Sequence, residues 1–138
     1  LANGLRVLRG VEHEPAGSYD CIYANQVFEH LTDPQVVMRS LARLLSENGL
    51  MCIKVPSSLG MGRRLRNPEW VARKDALHPL EHVNCYSRKA LAALAAQFGL
   101  TTHSMQRFAR GKWRVAITRP MRFLSDLYLG TEVFMLRE

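Results

Sequence analysis

Residues Tyr19 to Leu31 read YDCIYANQVFEHL, and this stretch decides the fold class. An apolar, β-favouring run of Tyr19, Cys21, Ile22, Tyr23 and Ala24 turns abruptly polar at Asn25 and Gln26, then reaches Glu29 and His30. The pattern predicts a buried strand whose carboxyl end is loaded with hydrogen-bonding groups. In open α/β sheets ligands sit just outside the carboxyl ends of strands, so the polar cluster is a candidate binding site. Turn-forming and capping residues have the same composition, and the stretch alone does not choose between the two.

Downstream, Thr32 or Asp33 is placed to cap a helix with Pro34 in its first turn, and Val37, Leu41, Leu44 and Leu45 make one apolar stripe. Asn48 and Gly49 are the stop signal. Leu50 to Val55, LMCIKV, is nearly all apolar, as expected of a strand covered on both faces, and Pro56 ends it. Strand, helix and strand at this spacing form a βαβ unit with neighbouring parallel strands, so the fold class is α/β. Upstream, Leu5 to Leu8 is a short strand candidate, followed by a polar turn with Pro15 and Gly17.

From Ser57 to Tyr86 regular patterning is lost. Loops this long in compact domains tend to be functional lids or disordered, and Trp70, His78, His82 and Tyr86 argue for a lid that packs on something. Ser87 then caps a helix with Leu91, Leu94, Ala95 and Phe98 on one face and Gly99 at its end. A strand is expected around Leu100 to Phe108, alternation at Trp113, Val115 and Ile117, a helix from Pro120 to Leu129, and a final strand over Glu132 to Leu136.

The 138 residues are 47% hydrophobic, enough for one domain and one core. Cys21, Cys52 and Cys85 lie far apart, two of them in apolar runs where a thiol acts as a small hydrophobe. With no apolar run of membrane-spanning length and no leader pattern, a soluble cytoplasmic protein is expected. The net charge of +7 is uneven: Leu1 to Leu31 carries two arginines against four carboxylates, while Lys54 to Lys74 carries six basic residues against Glu69. That basic region is either a solvated loop surface or a contact for an anionic substrate or partner. The chain opens on Leu1, and LANGLRV reads as the end of a helix followed by a strand, so it is expected to be the carboxyl-terminal part of something longer.

Two constellations carry chemistry. Asn25, Gln26, Glu29 and His30 offer side chains, and a following helix start, to a charged ligand. His78, Glu81, His82 and Tyr86, in HPLEHVNCY, supply candidate pocket residues and a candidate general base. His78 and His82 with Cys85 invite a zinc reading, but Pro79 disfavours a helical pair and no fourth ligand is placed, so no metal is expected. Gly60 and Gly62 lack the strand-then-helix context of a phosphate loop.

YDCIYANQVFEHLTDP, then LSENGLMCIKVPS, then HPLEHVNCYSRKALAALAAQFGL together resemble the carboxyl-terminal portion of a class I S-adenosylmethionine-dependent methyltransferase. The nearest subtype is the small-molecule and O-methyltransferases related to ubiquinone-biosynthesis enzymes. The resemblance implies an incomplete Rossmann-like sheet from the family order 3-2-1-4-5-7-6. Leu5 to Leu8 would be strand 3, Asp20 to Asn25 strand 4, Leu50 to Val55 strand 5 and the last two strands a hairpin, with strands 1 and 2 missing. It further implies S-adenosylmethionine as methyl donor, Val11 and Glu12 near its adenine, and Asn25, Gln26, Val27 and His30 at its methionine end. Residues 57–86 would close over a small-molecule acceptor, with Trp70, His82 and Tyr86 as substrate contacts and His78 or His82 as catalytic base. Val11 stands where the family has an acidic residue. The glycine-rich loop and the ribose-binding acid are absent, so this portion alone is expected to be inactive, with strand 4 an exposed edge able to associate. The alternatives are a non-catalytic methyltransferase-like module for an anionic partner, and a nucleic-acid methyltransferase. The latter is disfavoured by the lack of an Asn/Asp-Pro-Pro-aromatic strand end for a flipped base.

Overall fold

The computed structural model describes residues 4, 6–72, 76–78, 80–103 and 130–137. The βαβ unit is present. Strands β1 (Tyr19–Asn25) and β2 (Leu45–Pro56) pair in parallel, joined through a short 3-10 turn at Phe28–His30 and helix α1 (Pro34–Leu44). After β2 come a single turn of helix, α2 (Met61–Arg64), then α3 (Arg88–Ala96), β3 (Leu100–His103) and β4 (Gly130–Arg137). The four described strands lie in the order β1-β2-β4-β3, with β4 antiparallel to both of its neighbours.

The core lies on one face of this sheet. Met51, Ile53 and Val55 of β2 alternate onto that face and are buried, together with Val133 and Met135 of β4. Met38 and Ala42 of α1 and Leu91, Leu94 and Ala95 of α3 cover them. Arg39 of α1 also sets its guanidinium 5.7 Å from the centroid of the Phe98 ring, just beyond the end of α3. Both caps act as expected: Asp33 Oδ1 accepts from Val36 N at 3.2 Å, and Ser87 Oγ accepts from Ala90 N at 3.2 Å. At the other end of α1, Arg137 Nη1 reaches across from β4 and donates to the carbonyls of Ala42 (3.2 Å) and Leu45 (2.7 Å). These are acceptors that a helix end leaves without intrahelical partners.

Three sequence expectations are corrected. Helix α1 ends at Leu44 rather than at Asn48 and Gly49, because Leu45 pairs with Tyr19 and begins β2. Between the pairs Tyr19–Leu45 and Cys21–Leu50 the register shifts, and Asn48 (φ 60°) and Gly49 form the resulting bulge. Second, the strand read as buried from its apolar run buries only Ala24, because β1 is covered from the β2 side alone and lies at the edge of the described sheet, as the resemblance implies. Third, Arg6 to Leu8 forms no strand, and Val7 is 75% exposed, because no described strand lies beside it to complete a ladder. The expected strand at Leu100 to Phe108 is seen over Leu100–His103. Its remainder, the alternation at Trp113 to Ile117 and the helix from Pro120 to Leu129 fall outside the described residues. Among the described residues no helix is long and apolar enough to cross a membrane.

The bulge is a sharp test of this register. A Cβ on Gly49 would stand 2.8 Å from both Leu45 Cγ and the Ser46 carbonyl oxygen, and Leu45 is fully buried. Gly49→Ala should therefore lower unfolding free energy in urea by about 1–3 kcal/mol. An unchanged midpoint would contradict the tight bulge.

Candidate functional site

The site forms where β1 stops. Gln26 adopts a left-handed backbone (φ 56°) and donates its N–H to Lys54 O at 2.8 Å, the last link to β2. The chain then dives inward. Phe28 is fully buried in the core and carries Glu29, 1% exposed, in with it. Leu31 packs against the same core, and Asp33 restarts regular structure as the cap of α1. Asn25, the last residue of β1, remains exposed with Gln26 and Val27 just beyond it, and His30 is exposed as well.

A second segment closes on this turn from more than fifty residues away. His78 O accepts from both Glu81 N (3.0 Å) and His82 N (2.8 Å), which makes 78–82 a tight turn. Asn84 ties that turn down: its N–H donates to Glu29 O at 3.0 Å and its side-chain amide donates to Leu31 O. His30 Nδ1 donates to Glu81 O at 2.7 Å. A carbonyl can only accept, so this bond sets the proton on Nδ1. Three imidazoles are thereby gathered. The His30 and His82 rings meet edge to face with centroids 4.9 Å apart, and His78 and His82 do so at 6.3 Å.

Two buried polar groups give the cluster its electrostatic character. Neither oxygen of the Glu29 carboxylate has a hydrogen-bond partner among the described residues, and His30 Nε2 stands 3.9 Å from Oε1. The Tyr86 hydroxyl likewise has none. Burial pushes the Tyr86 phenol above its ordinary value of 10.0, and the negative charge of Glu29 pushes it the same way.

The structure therefore brings together His30, His78 and His82 and sets Tyr86 within the field of Glu29. Asn25, Gln26 and Val27 lead into the cluster. Trp70, half-buried, donates its N–H to Asn67 O at 3.1 Å and takes no part in this network. Val11 and Glu12 lie elsewhere. Arg43, in the last turn of α1, donates to the carbonyls of Val11 (3.0 Å) and Glu14 (2.8 Å), and Tyr19 Oη donates to Glu14 Oε2 at 2.9 Å. The 11–14 turn thus sits at the amino end of β1, roughly 20 Å of strand from Asn25. Sequence reasoning gave Asn84 no role and counted Glu29 among the side chains offered to a ligand. Asn84 stood in the quoted HVNCYS run. The burial of Glu29 carried no signal beyond its place next to Phe28.

A parallel βαβ unit with polar groups gathered at the carboxyl end of its first strand is the architecture of an α/β ligand-binding enzyme domain. Residues 4–105 match a family model described as a methyltransferase domain, and the chain belongs to that family. No curated protein matches it. Among solved structures, a Galdieria sulphuraria protein assigned as a sarcosine dimethylglycine methyltransferase aligns with a TM-score of 0.52 at 17% identity, covering 90% of this chain and 54% of that one. A Listeria monocytogenes protein assigned as an S-adenosylmethionine-dependent methyltransferase gives 0.55 at 8% identity, covering 94% and 64%. The cyclase SpnF gives 0.52 at 14% identity, covering 90% and 52%. At these identities the likeness is one of fold. The chain spans between about half and two thirds of the length of those structures.

The raised Tyr86 pKa has a testable sign. The folded state holds the phenolic proton more tightly than the unfolded chain does. The stability gained this way is complete below pH 10.0 and is lost as pH rises through the higher folded value. Above about pH 10 the wild-type protein should therefore lose more stability than Tyr86→Phe in denaturant titrations. Equal losses would mean that the phenol ionises alike in both states.

Proposed function

We propose that this chain is the carboxyl-terminal part of an S-adenosylmethionine-dependent methyltransferase domain acting on a small-molecule acceptor, in a cytoplasmic setting. The observation that carries the reading is the hydrogen-bonded union of the β1 end with the 78–86 turn, which joins a cofactor-facing strand end to an acceptor-facing loop. In this reading β1, β2, β4 and β3 take the places of family strands 4, 5, 7 and 6, an assignment supported by their order in the sheet. The glycine-rich loop and the ribose-binding acid would lie upstream of Leu1.

The residues present fit one wall of a cofactor cleft. Asn25 and Gln26 are exposed at the carboxyl end of the strand, with amides suited to an amino acid's charged groups, and Val27 is 41% exposed beside them. S-adenosylmethionine, when bound, supplies an electrophilic methyl group for in-line displacement. The task of this chain is then to hold the acceptor in line and exclude water. Segment 57–86 is the lid, with Trp70 and Tyr86 as acceptor contacts. His78 or His82 takes the proton of a hydroxyl acceptor. With its first-strand wall supplied from upstream, the chain alone should be inactive, and Val11 and Glu12 would meet the adenine only if the 11–14 turn rearranges in the full-length protein.

SpnF, described as a cyclase, shows that this fold does not dictate methyl transfer. A second reading, a non-catalytic module for an anionic partner, draws on Arg63 and Arg66, both exposed next to Leu65, 58% exposed. Kinetics separate the two. In the full-length enzyme His82→Ala should lower turnover at least about tenfold, with cofactor affinity changed less than about threefold. An equal loss of cofactor binding would remove His82 from the acceptor side, and no turnover in the wild type with any hydroxyl or amine acceptor would favour the binding module.

A further inference from the structure

A carboxylate taken out of water persists only where a positive centre or hydrogen-bond donors compensate it. Glu29 is 1% exposed, and neither of its oxygens has a hydrogen-bond partner among the described residues. His30 Nε2, 3.9 Å from Oε1, is too distant to donate. Its protonation makes the conflict sharper. Because Nδ1 donates to Glu81 O at 2.7 Å, the neutral ring turns an Nε2 lone pair toward the Glu29 carboxylate. Two electron-rich atoms facing each other at that distance are suited to a positive centre between them, a proton or a metal ion.

His82 supplies a third donor to the same point. One ligand atom from each of Glu29, His30 and His82 lies within 4.8 Å of the other two. Donors bound to one transition-metal ion at about 2.0–2.2 Å stand roughly 3–3.5 Å apart, so the triad closes by a contraction on the order of 1 Å. His30 is exposed and His82 half-buried, so the packing around them leaves room for an adjustment of that size. Two imidazoles and a carboxylate are the donor set of divalent iron, manganese, cobalt or zinc. The backbone carbonyl behind His30 Nδ1 is also the partner that metal-bound histidines keep, since it fixes the tautomer and aims the other nitrogen. A proton shared by Glu29 and His30 would serve only one carboxylate oxygen.

We propose that Glu29, His30 and His82 form a binding site for a single divalent transition-metal ion, open on its outer side. Within HPLEHVNCY, Pro79 and the lack of a fourth ligand argued against a metal at His78, His82 and Cys85. Two of the three donors instead come from the end of β1, brought to His82 by the Asn84 and Glu81 hydrogen bonds. A bound ion would fasten the 78–86 turn to the strand end. If the methyl-transfer reading also holds, the open positions would take an acceptor oxygen and ease its deprotonation, leaving His78 to receive the proton.

Cobalt(II) titrated into chelator-treated full-length protein tests the site without reference to activity. The expected result is saturable one-to-one binding by calorimetry with visible absorption bands, displaced by zinc(II). Glu29→Gln, which preserves side-chain volume, and His82→Ala, on a partly exposed turn, should each weaken binding at least about tenfold, and His78→Ala should leave it near wild type. Should Glu29→Gln fail to fold, His82→Ala decides. Absence of cobalt binding, or binding that survives His82→Ala in the folded protein, would overturn the proposal. Cofactor binding by the same protein would still stand or fall separately.

Discussion

The site depends on one packing event, the insertion of Phe28 into the core directly after β1 ends. Full burial of such a side chain contributes roughly 1.5–3 kcal/mol, and here it also sets direction. Gln26 spends its N–H on the last link to β2, so the chain must leave the sheet within two residues, and Phe28 draws it beneath the strand end. Glu29 follows inward because it is the next residue, and His30 is left facing out. The 78–86 turn then finds its acceptors, Glu29 O and Leu31 O, on backbone that Phe28 has already fixed.

This order of dependence gives the β1 edge and the histidine cluster different surroundings. β1 is covered from one side only by the described sheet, so its exposed end residues are available to a ligand or to chain not described here. The cluster, by contrast, is tied to the strand end by hydrogen bonds between described residues. One side is therefore open and the other closed, which suits the proposed cleft with its second wall drawn from another part of the polypeptide.

Much of the fold was legible because it is local. The stripe of Val37 and Leu41, the caps at Asp33 and Ser87, and the apolar run from Leu50 to Val55 each announce one element, and the elements follow. The end of α1 was not legible. LARLL continues helical periodicity through Leu45, and Asn48-Gly49 is the strongest stop signal in the sequence. The pairing of Leu45 with Tyr19 overrides both, and nothing near Leu45 foretells it. The site divides in the same way. Its polar residues stood out by type, whereas their convergence rests on contacts between residues 28–31 and 81–84, and the burial of Glu29 reverses the usual exposure of a glutamate. Val11 and Glu12 show the converse. Position in a motif placed them near the cofactor, while the hydrogen bonds of Arg43 hold their turn at the far end of β1.

The central claim is that the end of β1 and the 78–86 turn form one side of an S-adenosylmethionine cleft. Calorimetric titration of S-adenosylmethionine into the full-length protein tests it most directly. Saturable one-to-one binding, weakened when Asn25 and Gln26 are replaced by alanine, is the result this account predicts. No heat of binding at about millimolar cofactor, equivalent to less than roughly 4 kcal/mol of affinity, would contradict it.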